Sequence, residues 1–154
     1  MKQIKLTQGK YAIIDDSSFG LVSQYKWHFH ITNGKMGYPR TMIAGKKIRL
    51  HTLLMKNPKG TYADHVNGNT LDNRRENLRI CTPSESNANL SKRVGCSSKY
   101  KGISFDKERD KWQVRVYFKK KKVFFKRVNT EIEAARLYDL IARKIFGKFA
   151  KTNL

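Results

Sequence analysis

Short runs in which apolar and polar positions alternate dominate the first third of the chain. Ile4 and Leu6 sit between polar neighbours, and Tyr11–Ile14 is a brief apolar run closed by the turn cluster Asp15-Asp16-Ser17-Ser18. Tyr25–Ile31 is aromatic and β-branched, Asn33-Gly34 is a hairpin signal, and Tyr38–Ile43 reads as the returning strand. Ala44-Gly45-Lys46-Lys47 marks a second turn before Ile48–Leu50. His51–Met55 opens a short helix that Pro58 and Gly60 end, so residues 2–55 are expected to be β-rich.

From residue 61 the pattern changes. Asp, Asn and Arg crowd around Gly68, then Leu78–Thr82 forms a short strand and Pro83 opens a helix, with Thr82 and Glu85 spaced as a capping box. Residues 91–98 are small and polar, which predicts a linker. Beyond it, Tyr100–Phe105, Lys111–Phe118 and Lys122–Val128 read as strands. Thr130 and Glu133 form another capping box, and Ala134, Ala135, Tyr138, Ala142 and Ile145 recur at helical spacing up to Gly147. The expected class is α+β. A β-rich region with a ββα unit spans 1–90 (core 50–90), and a three-stranded antiparallel sheet packed on one helix spans 99–154.

Charge narrows the partner. The chain of 154 residues has 33 Lys+Arg against 12 Asp+Glu, a formal net charge of +21, densest over residues 91–154. A field of that sign attracts polyanions, nucleic acid first. The two cysteines, Cys81 and Cys96, exclude a four-cysteine zinc site and suggest no disulfide framework. The N-terminal stretch holds no long apolar run, so neither a signal peptide nor a membrane span is expected and a cytoplasmic location follows, that of a bacterial host if the gene is carried by a phage.

The chemistry concentrates in Asp64–Arg79, DHVNGNTLDNRRENLR. Phosphodiester hydrolysis needs a base for the attacking water and a cation near the leaving oxygen. His65 can be the base, and Asp64 suits a hard divalent cation. Adjacent residues on a strand point to opposite faces, so a shared site requires the chain to bend there.

Asp64, His65, Gly68, Asn69, Asp72, Asn73, Asn77, Leu78 and Arg79, followed by Cys81-Thr82-Pro83-Ser84-Glu85, resemble the HNH nuclease family. The resemblance implies a Mg²⁺- or Mn²⁺-dependent phosphodiesterase with His65 as general base, Asp64 as first metal ligand and Asn77 orienting the catalytic histidine. The family's third signature residue, a second metal ligand on the following helix, falls on Ser86, where Asn or His is usual. Ser86 acting through water, Asn87 or Asn89 could each fill that place; otherwise the site is silent. His51 is read as structural or phosphate-contacting, and His28 and His30 as structural.

In the C-terminal part, Tyr100-Lys101-Gly102-Ile103, Lys111-Trp112, Thr130, Glu133-Ala134-Ala135, Tyr138-Asp139, Ala142, Phe146-Gly147, Ala150 and Asn153 resemble the plant ethylene-response-factor (Apetala-type) DNA-binding domain. Strand alternation puts Trp112, Val114 and Val116 under the helix. Alternation leaves Gln113, Arg115, Tyr117, Lys122, Phe124 and Lys126 on the opposite face, and the resemblance implies groove-facing positions for Lys101 and Lys111 as well. The two resemblances together imply a homing-type endonuclease acting on double-stranded DNA as a monomer and nicking one strand. The competing readings are a DNA-binding protein with a degenerate nuclease site and a ribosomal-type RNA-binding protein, which explains the charge but not Asp64–Arg79.

Overall fold

The computed structural model describes residues 1–32, 36–92 and 95–154, so the Asn33-Gly34 hairpin signal lies outside the described residues. The chain is α+β, and its strands form small antiparallel sheets. It divides into two compact units, Met1–Thr82 and Pro83–Leu154. No described helix is long and apolar enough to cross a membrane.

The N-terminal unit begins with an antiparallel pair, β1 (Lys2–Lys5) and β2 (Tyr11–Ile14). A one-turn helix α1 (Phe19–Val22) leads into a second sheet of β3 (His28–Thr32), β4 (Met36–Ile43) and β5 (Lys46–Arg49), with β4 central. The short helix α2 (Leu50–Met55) follows directly. Leu6, Ala12, Ile14, Val22, Trp27 and Leu50 form the core. β6 (Tyr62–His65) and β7 (Leu78–Cys81) then make a two-stranded ribbon, pairing Asp64 with Arg79 and His65 with Leu78.

The C-terminal unit opens with α3 (Pro83–Asn89). Its sheet is β8 (Ile103–Asp106), β9 (Lys111–Phe118) and β10 (Lys121–Val128) in the order β10-β9-β8, and α4 (Glu131–Phe146) packs on it. The Thr130 hydroxyl caps α4 by accepting from the Glu133 N–H at 3.2 Å. Ala134, Ala135, Tyr138, Ala142 and Phe146 then meet Val114, Val116, Val128 and Ile103 in one core. Ala88 of α3 is buried in the same core, so this helix folds with the C-terminal unit although it precedes the stretch read as a linker. Gly102 allows the closest approach in this core. At φ +75°, a Cβ there would lie 2.2 Å from the Tyr138 ring. The C-terminal tail is tied down as well, with the buried Asp139 carboxylate accepting from the backbone N–H groups of Asn153 and Leu154.

Candidate active site and nucleic-acid interface

Asp64 and His65 are the last two residues of β6, so they remain adjacent strand positions, and the chain bends only after them. The Gly68 N–H donates to the His65 carbonyl at 3.1 Å, and Gly68 itself adopts φ +77°. Asn77 staples this loop: its Oδ1 accepts from the Asn67 N–H at 3.0 Å and its Nδ2 donates to the Asp72 carbonyl at 2.8 Å. Buried Asp72 accepts two bonds from Arg74, each 2.8 Å. The loop is also stitched to the edge of β2, the Ile13 N–H donating to Leu71 O and Ile13 O accepting from the Asn73 N–H, both at 2.8 Å. Nothing in the local sequence signals this docking, because its partner lies some sixty residues upstream.

His65 is 4% exposed, and its Nε2 lies 3.2 Å from Asn73 Oδ1. The Asn73 amide is oriented by its Nδ2, which donates to Thr70 O at 3.1 Å. The network therefore puts the His65 proton on Nε2 and the basic lone pair on Nδ1. Burial pushes the His65 pKa below that of an ordinary histidine; the Asn73 bond and the Asp64 and Asp72 carboxylates oppose the shift without reversing it. His65 is accordingly neutral near pH 7, as a general base must be.

Sequence reasoning set His51 aside, yet it belongs to this site. It is 4% exposed, and its ring stands edge-on to His65 with centroids 4.9 Å apart; Tyr38 packs against both imidazoles. Its Nδ1 is buried with no hydrogen-bond partner among the described residues. Burial, with smaller effects from His65 and Arg49, pulls the His51 pKa down to about 3. The available signal was its position at the start of α2, just ahead of the motif.

Asp64 is positioned by its cross-strand partner: Arg79 Nη2 lies 3.2 Å from its Oδ2, and both side chains are largely buried. Among the described residues no three His, Cys, Asp or Glu side chains gather into a metal cage. A carboxylate such as Asp64 is the oxygen donor of the N-terminal unit that would suit a hard cation keeping most of its ligands as water and phosphate oxygens. Ser86, Asn87 and Asn89 all lie on α3, in the C-terminal unit, with Asn87 exposed and Ser86 and Asn89 half-buried.

In the C-terminal sheet, Lys111, Arg115, Tyr117 and Lys122 occupy the face away from α4, as alternation predicts. Three other expected positions need correcting. A β-bulge between Lys122 and Phe124 shifts the alternation, so Phe124 pairs with Val116 and packs into the core under α4. Lys126 pairs with Val114 and shares that inner alternation, although its side chain is exposed. Phe125 and Arg127 take the outer face instead, with Lys122 Nζ and the Arg127 guanidinium 5.1 and 4.9 Å from the Phe125 ring centre. Lys101 is turned elsewhere: its Nζ donates to the Asn87 and Ala88 carbonyls at the end of α3, and burial with Lys151 nearby pulls its pKa down to about 8. Gln113 is on the outer face but buried, bridging Asp106 to Arg115. Asp106 also accepts from Arg127 Nε at 2.9 Å, so one carboxylate braces the cations of this face.

Comparison with known proteins places the ribbon and its loop in a known family. Residues 56–88 match the family described as HNH endonuclease. Over 152 residues the chain is 34% identical to an uncharacterized HNH endonuclease of Acanthamoeba polyphaga mimivirus, spanning 95% of this chain and 76% of that one. Over 94 residues it is 34% identical to protein 3.8 of Escherichia phage T7, spanning 61% of this chain and 77% of that one. No solved structure matches the chain. The family match runs through the β6–loop–β7 ribbon that carries Asp64, His65 and Asn77, and the similarity to the mimivirus protein extends over nearly the whole length: the chain belongs to the HNH endonuclease family.

Proposed function

We propose that the chain is a divalent-metal-dependent endonuclease of homing type that nicks one strand of duplex DNA. The observation that carries this reading is the buried, neutral His65, whose Nε2 is committed to Asn73 and whose Nδ1 is therefore the basic atom. His65 Nδ1 takes the proton of the attacking water. Asp64 would hold the cation, which supplies charge neutralisation at the phosphate and the leaving oxygen. Asn77 keeps the loop in the conformation that presents His65. The C-terminal unit binds the target through its outer sheet face, in the manner of an Apetala-type domain, with Arg115, Arg127, Lys122, Lys111, Tyr117 and Phe125 available to phosphates, base edges and sugars. A single set of these groups per chain fits a monomer that cuts one strand per binding event.

A second reading is favoured by one specific observation. The Asp64 carboxylate is already paired with Arg79, and Ser86 stands where the family usually has an amide or imidazole. A DNA-binding protein with a silent nuclease site would look the same in these respects. Plasmid relaxation in Mg²⁺ and in Mn²⁺ decides between them. The nuclease reading expects wild-type nicking that both His65→Ala and Asp64→Ala abolish while duplex affinity stays near wild type. Failure of the wild-type protein to nick its own target in either metal would leave the binding-protein reading standing.

A further inference from the structure

At the β9 edge of the C-terminal sheet, floored by Val116, Tyr138 and Phe146, lies a cavity of about 620 Å³ that the nuclease reading leaves unused. It forms because β9 runs on past β8: the Arg115 N–H bonds to Gly102 O, after which none of the described strands lies beside this β9 edge and α3 supplies the opposite wall through Ser84 and Asn87. Lys101, Arg115, Lys119 and Lys120 line it, as do Tyr100 and Tyr117, and no Asp or Glu does among the described residues. Its size falls within the roughly 300–1,000 Å³ that small-ligand sites occupy. Cations for a phosphate beside rings for a base is the combination that single-stranded nucleic-acid sites use.

The backbone adds an independent observation. Lys119 and Lys120 form the two-residue turn between β9 and β10, at φ +47° and +65°. Such a turn needs left-handed backbone at both positions and favours Asn-Gly. Among the described residues the other left-handed pairs, Gln8-Gly9 and Ala44-Gly45, each place a glycine second. Here two lysines sit where side chains are disfavoured, at the rim of the cationic cavity, and strain of this kind gathers at working sites.

We infer that this cavity binds one nucleoside monophosphate unit, the phosphate held by Lys119 and Lys120 and the base against Tyr100 and Tyr117. The unit is either a free nucleotide or a nucleotide displaced from the DNA duplex, and the second source rests on the DNA-binding reading above. Calorimetric titration of the full chain with a deoxynucleoside 5′-monophosphate tests it. Saturable binding is expected, at least tenfold tighter than for inorganic phosphate or the uncharged deoxynucleoside. The double substitution Lys119→Asn/Lys120→Gly should weaken nucleotide binding at least fivefold and raise Tm, because it restores a favoured turn. Lys46→Asn/Lys47→Asn removes the same charge from β5 and should leave nucleotide binding intact. Equal loss in both double variants, or no discrimination between nucleotide and phosphate, overturns the proposal.

The source is read from competition. A single-stranded oligonucleotide, or a duplex carrying a one-nucleotide bulge, that displaces the mononucleotide assigns the site to DNA. Nucleotide binding without such displacement assigns it to the soluble nucleotide. Tight binding of intact duplex with no binding of mononucleotide overturns the cavity proposal and leaves the DNA-binding reading in place. Absence of duplex binding, whatever the mononucleotide does, removes the DNA-binding reading itself.

Discussion

Asn73 is the residue through which the histidine site is tuned. With its amide fixed by Thr70 O, it selects the His65 tautomer and partly offsets the burial that lowers the His65 pKa. Asn73→Ala should therefore cost on the order of tenfold or more in kcat with little change in KM. Asn73→Asp keeps an acceptor and adds a negative charge, which favours imidazolium, so the acidic limb of the pH–rate profile should move up by about one unit. A profile unmoved by Asn73→Asp would argue that His65 is not the titrating base. His51 makes a separate prediction about stability. Its folded pKa of about 3 lies below its ordinary 6.5, so the unfolded chain binds the proton more readily. The stability is complete above pH 6.5 and is lost as pH falls from there toward 3, at up to about 1.4 kcal/mol per pH unit. His65 contributes in the same direction. Urea unfolding at pH 7 and pH 5 should show that slope, and His51→Phe, which removes a buried nitrogen without a partner among the described residues, should flatten it. The ribbon and loop that carry His65, Asp64 and Asn77 were legible in the sequence because their spacing is local. His51 and the β2 edge were hidden because three-dimensional proximity, rather than any local pattern, brings them to the loop.

At the scale of the element, the strands and α4 follow from their periodicity, but one bulge decides which side chains face outward. Alternation predicts a helix-facing Phe125 and an outer Phe124; the bulge after Lys122 exchanges them. The two phenylalanines should thus separate stability from binding. Phe124→Ala should destabilise the fold by about 2 kcal/mol, since the half-buried ring packs on Val116 and the α4 core. Phe125→Ala should leave stability within about 1 kcal/mol and weaken duplex binding several-fold, because an exposed ring between two cations is lost. Thermal melts and mobility-shift titrations on both variants check this, and a reversed outcome would restore simple alternation. The bulge was not legible because one inserted residue leaves the composition of β10 unchanged. Gln113 keeps the outer face that alternation predicts, but its burial depends on Asp106, seven residues earlier in the chain, bridging it to the cations around it.

For the whole molecule, the division between units is the least legible feature. Small polar residues suggest a seam at 91–98, but the contacts place it between Thr82 and Pro83. Ala88 is the reason, since it is buried with Ile103 and Val114, while the Lys101 ammonium and the Lys151 N–H bond the carbonyls at the end of α3. A fragment spanning 83–154 should therefore unfold cooperatively. One spanning 99–154 should be less stable, with a lower urea midpoint, because it loses Ala88 and leaves Lys101 without those acceptors. Equal midpoints would mean that α3 contributes nothing to the unit.

The placement of α3 also bears on how such a protein could be reassembled by recombination. The HNH family match ends at residue 88, whereas the C-terminal unit begins at residue 83, so the two share Pro83–Ala88. A gene exchange that swapped the C-terminal unit as a stable cassette would have to carry those codons along, and would rewrite Ser86 each time it rewrote the outer sheet face proposed to bind DNA. On that proposal, a change of target and a change at position 86 would be inherited together.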